Sequence, residues 1–96
     1  MAEWMFLTNH AQVLLCVTED PNARLRELAE RVSISERAVK RIVADLERTG
    51  YISRKRFGRR NRYEVHLEQP LRSPLTRGLE IGAILAILLP VLSQSL

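Results

Sequence analysis

Two short apolar stripes of identical spacing, close together in the chain, constrain the fold of this 96-residue sequence more than any other feature. Each stripe places apolar residues at positions i, i+3, i+4 and i+7, which is the spacing of one helix face. The first comprises Leu25, Leu28, Ala29 and Val32, and the second comprises Val39, Ile42, Val43 and Leu46. The stretch between them, Ser33-Ile34-Ser35, leaves room only for a tight turn. The sequence therefore predicts two helices packed against each other across that turn.

Residues typical of helix ends flank these stripes. Ser35 is a suitable N-cap, because its hydroxyl can accept a hydrogen bond from a backbone N–H that lacks a helical partner. Gly50 suits the position just after the last turn, where a left-handed residue is common. Upstream, a further helix is predicted from residue 8 or 9 to residue 18, and it ends before the turn sequence Asp20-Pro21-Asn22.

After Gly50 the periodicity changes from helical to alternating. Residues 51–57 are predicted to form one strand, and the alternation of Tyr63, Val65 and Leu67 indicates a second strand. The sequence Gly58-Arg59-Arg60-Asn61 between them is predicted to be a hairpin tip, because Gly and Asn tolerate turn conformations. The predicted order is thus three helices followed by a two-stranded hairpin.

Beyond the hairpin, the chain is predicted to pass through a linker into a last helix. Residues 69–73 are predicted as the linker, because Pro70 cannot continue a strand ladder. Ser73 and Pro74 fit the N-cap and the first position of a helix. That helix is expected to cover residues 75–89.

The last helix is unusually apolar. Its sequence includes twelve consecutive non-polar residues, 81–92, if Gly82 and Pro90 are counted. A helix that is apolar on every side must be buried all round, whereas a membrane span needs about 20 apolar residues. The segment therefore predicts a dimerisation helix rather than a membrane anchor. Gly82, Ala83 and Ala86 are expected where two copies approach most closely.

Basic residues are concentrated in one part of the chain. Ten of the fifteen Lys and Arg residues lie between Arg37 and Arg62, together with only two carboxylates, Asp45 and Glu47. This stretch carries a charge of +8 (ten minus two) in a chain of net charge +4, and it covers the predicted third helix and the hairpin. Such a cluster implies a polyanionic partner, which is either nucleic acid or an acidic membrane surface.

One stretch, residues 24–66, resembles the winged-helix transcription regulators of the MarR and ArsR type, in particular their small prokaryotic members. The matching pieces are RELAERV before the turn, ISERAVKRIVADLERTGYI through the third helix, and RKRFGRRNRYEV in the hairpin or wing. The resemblance implies an α+β, mostly α fold. It would comprise a winged helix-turn-helix DNA-binding domain over residues 1–69, and a linker with a C-terminal dimerisation helix over residues 70–96.

One position departs from the pattern of that family. The family often has Gly in the turn between the second and third helices, where φ is positive, and this chain has Ser33. A left-handed serine costs about 1 kcal/mol. Either the turn differs slightly or the strain is tolerated.

The third helix presents a polar face opposite its apolar stripe. In the resembled family this face lies in the major groove, where each base pair displays a distinct pattern. Arg37 and Arg41 are predicted to contact guanine O6 and N7, and Lys40 to contact phosphate. Glu36 either accepts a hydrogen bond from cytosine N4 or repels phosphates in a wrong register. The alternative is a charged face that only keeps the protein soluble. The predicted DNA-contacting residues of this segment are Ser35, Glu36, Arg37, Lys40, Arg41 and Ala44.

The hairpin carries six basic residues in nine positions. They are Arg54, Lys55, Arg56, Arg59, Arg60 and Arg62. Arg59 and Arg60 are predicted to enter a minor groove, where A·T-rich sequence strengthens the negative potential. Arg54, Arg56 and Arg62 are predicted to contact phosphates. Protection of an edge strand from aggregation would account for only two or three of these charges.

No grouping of residues indicates catalysis, a cofactor or a metal site. His10, Cys16 and His66 are widely spaced and lack a zinc-binding pattern, and the chain has no Gly-rich phosphate loop. Cys16 is the only cysteine, so no intrachain disulfide can form and a reducing compartment fits best. Without a recognisable secretion signal, the expected location is the cytoplasm.

Together these features predict a non-enzymatic, sequence-specific regulator of transcription that binds double-stranded DNA as a homodimer. Repression by occluding a promoter is the simpler expectation, and the identity of any small-molecule effector stays open. The alternative is a winged helix that contacts another protein, peripheral to a membrane through its last helix. A basic third helix combined with a basic wing favours DNA.

Overall fold

Four α-helices and one two-stranded antiparallel sheet make up the computed structural model, which describes residues 5–93. The elements in chain order are α1 (Asn9–Glu19), α2 (Leu25–Val32), α3 (Glu36–Arg48), β1 (Ile52–Phe57), β2 (Arg60–Val65), a short 3-10 helix (Pro74–Thr76) and α4 (Ile81–Ser93). The mostly helical α+β fold is therefore confirmed. Its first five elements follow the order of a winged helix-turn-helix, with the β1–β2 hairpin as the wing, and α4 follows them.

The helices begin where side chains can satisfy free backbone N–H groups. The Thr8 hydroxyl accepts from the N–H of Ala11 at 3.1 Å, and the Ser35 hydroxyl accepts from the N–H of Ala38 at 3.0 Å. The Ser35 cap was predicted, and it sets the first residue of α3. At the other end of α3, Gly50 has a φ of 83°, which turns the chain into the hairpin.

The turn between α2 and α3 is closed by a strained serine. Ser33 has φ 64° and ψ 46°, which is the left-handed conformation. The N–H of Ile34 then donates to the carbonyl of Ala29 at 3.1 Å. The turn thus keeps the geometry for which glycine is usual, and the serine carries the strain.

The two apolar stripes form the centre of the core. Leu28 of α2 and Val39 of α3 are fully buried, and so are Val13 and Val17 of α1. The wing closes one side of this core with Ile52 and Tyr63, and α4 closes another with Ile81 and Leu85, all four of which are buried. The helix packing therefore agrees with the predicted stripes, and it fixes which face of α3 remains outside.

The wing has a shorter tip than predicted. Phe57 pairs with Arg60, so that only Gly58 and Arg59 form the turn, and Arg60 and Asn61 belong to β2. Gly58 has a φ of 62°, in keeping with the glycine that leads two-residue hairpin turns. The predicted four-residue tip is therefore wrong, because a two-residue turn lets the strand pairing continue.

The base of the wing is tied to the helices on both sides. The N–H of Tyr63 donates to the carbonyl of Pro21 at 2.9 Å, which holds β2 against the loop between α1 and α2. Leu67, predicted as part of the second strand, lies outside it. Its carbonyl accepts from the N–H of Gly82 at 2.9 Å, so this segment turns toward α4.

The C-terminal helix starts later and ends later than the predicted 75–89. Residues 74–76 form only a single 3-10 turn, and Arg77 and Gly78 then take positive φ angles of 52° and 81°, which reverse the chain. The N–H of Ile81 donates to the carbonyl of Gln69 at 2.8 Å where α4 begins. The helix continues through Pro90, which is exposed. Because proline has no backbone N–H, one helical hydrogen bond is lost here, and the carbonyl left without it is on the solvent side of the helix.

Gly82 packs closely against its own chain. A Cβ atom at this position would be 3.0 Å from the carbonyl oxygen of Leu67. Ala83 and Ala86 are exposed. Among the described residues, no helix combines the length and the hydropathy required to cross a membrane.

Candidate nucleic-acid interface

The outward face of α3 carries most of the predicted contacts. Its buried side consists of Val39, Ile42, Val43 and Leu46. The opposite side exposes Glu36, Arg37, Lys40 and Arg41. Ala44 is half-buried on the flank of this face, and Ser35 is exposed but uses its hydroxyl as the helix cap. The helix therefore presents three cations in a row along one exposed surface.

None of these three cations forms an ion pair in the described part of the chain, although the charge of Arg41 contributes to the lowered pKa of Asp45. No carboxylate of residues 5–93 lies within 4.0 Å of Arg37, Lys40 or Arg41. In contrast, Arg48 at the end of the same helix is paired with Asp45. The free charges belong to the part of α3 nearest its N-terminus, and an anionic partner would be needed to neutralise them.

One of the three acidic residues of α3, Asp45, is held by His10 and Arg48. Asp45 Oδ2 accepts a hydrogen bond from His10 Nε2 of α1 at 2.8 Å, and Oδ1 is paired with Arg48. The hydrogen bond from His10 is the main reason that the pKa of Asp45 lies below its ordinary value, and the charge of Arg48 adds to it. The carboxylate is thus ionised and oriented toward α1, which reduces its repulsion of a polyanion on the outer face of α3.

The strand register divides the basic residues of the wing between two faces. The face that carries the buried Ile52 and Tyr63 also carries Arg54 and Arg56, because directly opposed residues share a face. Arg54 Nη2 lies 3.2 Å from Glu47 Oε1 of α3, and Arg56 Nε donates to the carbonyl of Gly58 at 3.1 Å. Both of these predicted phosphate contacts already have partners within the chain.

The other face of the wing carries the free cations. Lys55, Arg60 and Arg62 lie on it together with one carboxylate, Glu64, and Arg59 is in the turn. No carboxylate in the described range 5–93 comes within 4.0 Å of any of the four. Lys55 was not among the predicted DNA contacts, but it is therefore as available to a ligand as Arg62.

A cleft of about 410 Å³ joins the wing to the helix-turn-helix. Glu36 at the start of α3 lines it, opposite Arg59 and Arg60 of the wing. Arg24 and Arg26, at the start of α2, lie on the same cleft and are exposed. Arg24 and Arg26 were not among the predicted contacts, because the cleft that brings them near the wing forms only through tertiary contacts. They extend the basic surface to a third element.

The remaining titratable groups do not form a reactive centre. Cys16 is buried in α1, and burial raises the pKa of its thiol, which keeps it protonated and unreactive. Within residues 5–93, no group of three or more His, Cys, Asp or Glu side chains is arranged to hold a metal ion.

Comparison with known proteins finds a similarity over part of the chain. Residues 8–53 match a family described as winged helix-turn-helix DNA-binding. The chain is similar to a winged helix-turn-helix DNA-binding domain. No curated protein matches the chain significantly. The matched region runs from the cap of α1 into β1, so it includes α3, which is the recognition helix of such a domain. The match supports a DNA-binding transcription regulator.

Proposed function

We propose that this chain is a sequence-specific regulator of transcription that binds double-stranded DNA as a homodimer and represses by occluding a promoter, in the manner of the MarR and ArsR regulators. The observation that carries the proposal is the continuous set of unpaired cations on the recognition helix and the wing. Such a regulator acts where the chromosome is, in the cytoplasm. The helix-turn-helix and wing are assigned to residues 1–69, and dimerisation to residues 70–96.

The recognition helix supplies the base contacts in this proposal. The major groove is wide enough to admit a helix, and a bidentate arginine–guanine contact contributes roughly 1–3 kcal/mol of discrimination. Arg37 and Arg41 are four residues apart, so they lie on the same side of α3 and can reach neighbouring base pairs. Lys40 contacts phosphate, and Glu36 at the cleft restricts the register of the duplex.

The backbone contacts come from the elements around the cleft. Arg59 and Arg60 at the end of the wing approach the minor groove, and Arg62 contacts phosphate. Arg24 and Arg26 contact the phosphates on the other side of the cleft, where the first N–H groups of α2 also favour an anion. Arg54 and Arg56 have intrachain partners, so they hold the wing in position and add positive charge, but they do not make the main contacts to DNA.

The outer face of α4 supports the homodimer. Ile81 and Leu85 face the core of their own chain, whereas Ile87 and Val91 are 73% and 65% exposed. The helix has no polar side chain before Ser93, so its exposed side is an apolar stripe. Stripes of this kind on soluble domains mark interaction sites. A second copy placed on Ala83 and Ile87 would cover both stripes at once by two-fold symmetry.

Selection of duplexes from a randomised pool by the full chain tests the proposal. A two-fold dimer places its recognition helices about 34 Å apart, so the enriched site is expected to be an inverted repeat. A footprint on the region upstream of the protein's own gene would then show protection at such a repeat. A pool that never enriches, at low salt and high protein concentration, would overturn the DNA proposal and favour a winged helix that contacts another protein.

A further inference from the structure

An exposed aromatic ring lies among the free cations of the wing. Phe57 ends β1 and is 61% exposed. Its cross-strand neighbour is Arg60, and the next pair on the same face is Lys55 opposite Arg62. The ring is therefore the apolar part of a face that carries three cations and one carboxylate, Glu64, which forms no ion pair with any of them.

Folding alone does not account for this face. Like charges directly opposite each other, as at Lys55 and Arg62, destabilise a sheet, and the single carboxylate of Glu64 on this face offsets only part of that repulsion. An exposed ring at the end of a strand gains little from burial and increases the risk of association at the edge. A cation–π contact between the ring and Arg60 would be weakly favourable, but it would not require the other two cations. The arrangement is better explained by a ligand that carries both anionic groups and apolar surface.

The ring also borders the proposed DNA interface. Phe57 lines a niche of about 270 Å³ together with Asn22, Arg60, Asn61 and Arg62. Three of these residues, Asn22, Arg60 and Asn61, also line the cleft that contains Glu36 of the recognition helix. A duplex that occupies the cleft would therefore bring its backbone and its minor groove close to the ring.

We infer that Phe57 inserts as an apolar wedge at a base step of the minor groove, while Lys55 and Arg62 bind the phosphates beside that step. This inference rests on the proposed function and adds a second means of recognition at the same site. Phenylalanine is one of the side chains that partially unstack a base step and kink the duplex. Pyrimidine–purine steps such as TA unstack most easily, whereas A-tracts are stiff. The wing then selects deformable sequence, and not only a narrow groove.

A comparison of two flanking sequences with equal A·T content distinguishes insertion of Phe57 from the attraction of arginine to a narrow minor groove. The probe is the duplex that the wild-type protein enriches from a randomised pool, rebuilt with TATA or AAAA where the wing lies. The wild-type protein is expected to bind the TATA duplex roughly fivefold more tightly, because its flexible steps unstack at lower cost. A 2-aminopurine at the TA step should gain fluorescence on binding, since unstacking removes its quenching.

Three variants test whether the TATA preference and the fluorescence gain depend on the ring of Phe57. Phe57→Ala should lose both the TATA preference and the fluorescence gain, and Phe57→Leu should keep most of both, because leucine also acts as a wedge. Leu79→Ala removes a side chain of similar exposure outside the wing and should behave as wild type. Circular dichroism confirms that each variant is folded.

The outcomes distinguish the wedge from the proposed function. A wild-type protein that binds the enriched duplex without flank preference or fluorescence gain would overturn the wedge and leave DNA binding intact. An unchanged Phe57→Ala variant would do the same. Failure of the wild-type protein to enrich any duplex would overturn both, whereas a preference lost in Phe57→Ala and kept in Phe57→Leu would establish the wedge.

Discussion

At the scale of single residues, the helix-turn-helix contains a strained backbone position whose strain a substitution could remove. Ser33 is exposed and left-handed, and a serine in that conformation costs about 1 kcal/mol relative to glycine. Ser33→Gly is therefore expected to stabilise the protein by somewhat less than this, because glycine loses more backbone entropy on folding. Urea unfolding measures the change. A stability equal to or below that of the wild type would show that the serine side chain compensates for the strain.

A second residue-scale prediction concerns Asp45. Its pKa is below the ordinary value of 3.8, mainly through the hydrogen bond from His10. The ionised carboxylate therefore stabilises the fold above the ordinary carboxyl pKa, and this contribution disappears as the pH falls through the lowered folded-state pKa. His10→Ala should raise the pKa of Asp45 in an NMR titration, while the charges of Arg48 and Arg41 keep part of the shift. An unchanged pKa would mean that these two arginines lower it without help from His10.

At the scale of secondary-structure elements, the recognition helix should separate base contacts from phosphate contacts. Arg37→Ala and Arg41→Ala are expected to weaken the enriched duplex more than a random duplex, because base contacts carry the sequence information. Lys40→Ala should weaken both to a similar extent and reduce the salt slope by about one. Arg72→Ala, which removes one exposed arginine outside the helix-turn-helix and wing, is the charge-matched control. Binding to the enriched duplex that stays at wild-type strength in all three α3 variants would refute the assignment.

The elements also show where sequence reasoning was sufficient and where it failed. The presence of α2 and α3 followed from apolar periodicity, and the start of α3 followed from the Ser35 cap, because those signals are local. The start of α4 did not, because Ser73 and Pro74 fit a single 3-10 turn as well as a helix, and no local pattern marks Arg77 as left-handed. Arg24 and Arg26 were missed for a different reason. The cleft that unites them with the wing depends on tertiary contacts, among them the Tyr63–Pro21 hydrogen bond.

At the scale of the whole molecule, the two proposed interaction surfaces lie on different elements. The cations proposed to bind DNA are on α2, α3 and the wing, whereas the apolar stripe is on α4, which packs against α1 through Leu85 and its neighbours. A dimer formed through α4 would therefore leave both recognition helices free. It would also raise the affinity for a double site, because the second half-site is bound intramolecularly.

Introducing a carboxylate into the apolar stripe of α4 tests whether this stripe is the dimer interface. Ile87→Glu puts a carboxylate at a position that is 73% exposed in the single chain, so the fold should survive while burial in an interface becomes costly. Light scattering should show a monomer, and affinity for the inverted repeat should fall to about that for a single half-site. Phe57→Glu makes the same change at a comparably exposed ring on the wing, and it should remain dimeric. A dimeric Ile87→Glu protein would place the interface elsewhere, because a buried and unpaired carboxylate would not be tolerated between two apolar helices.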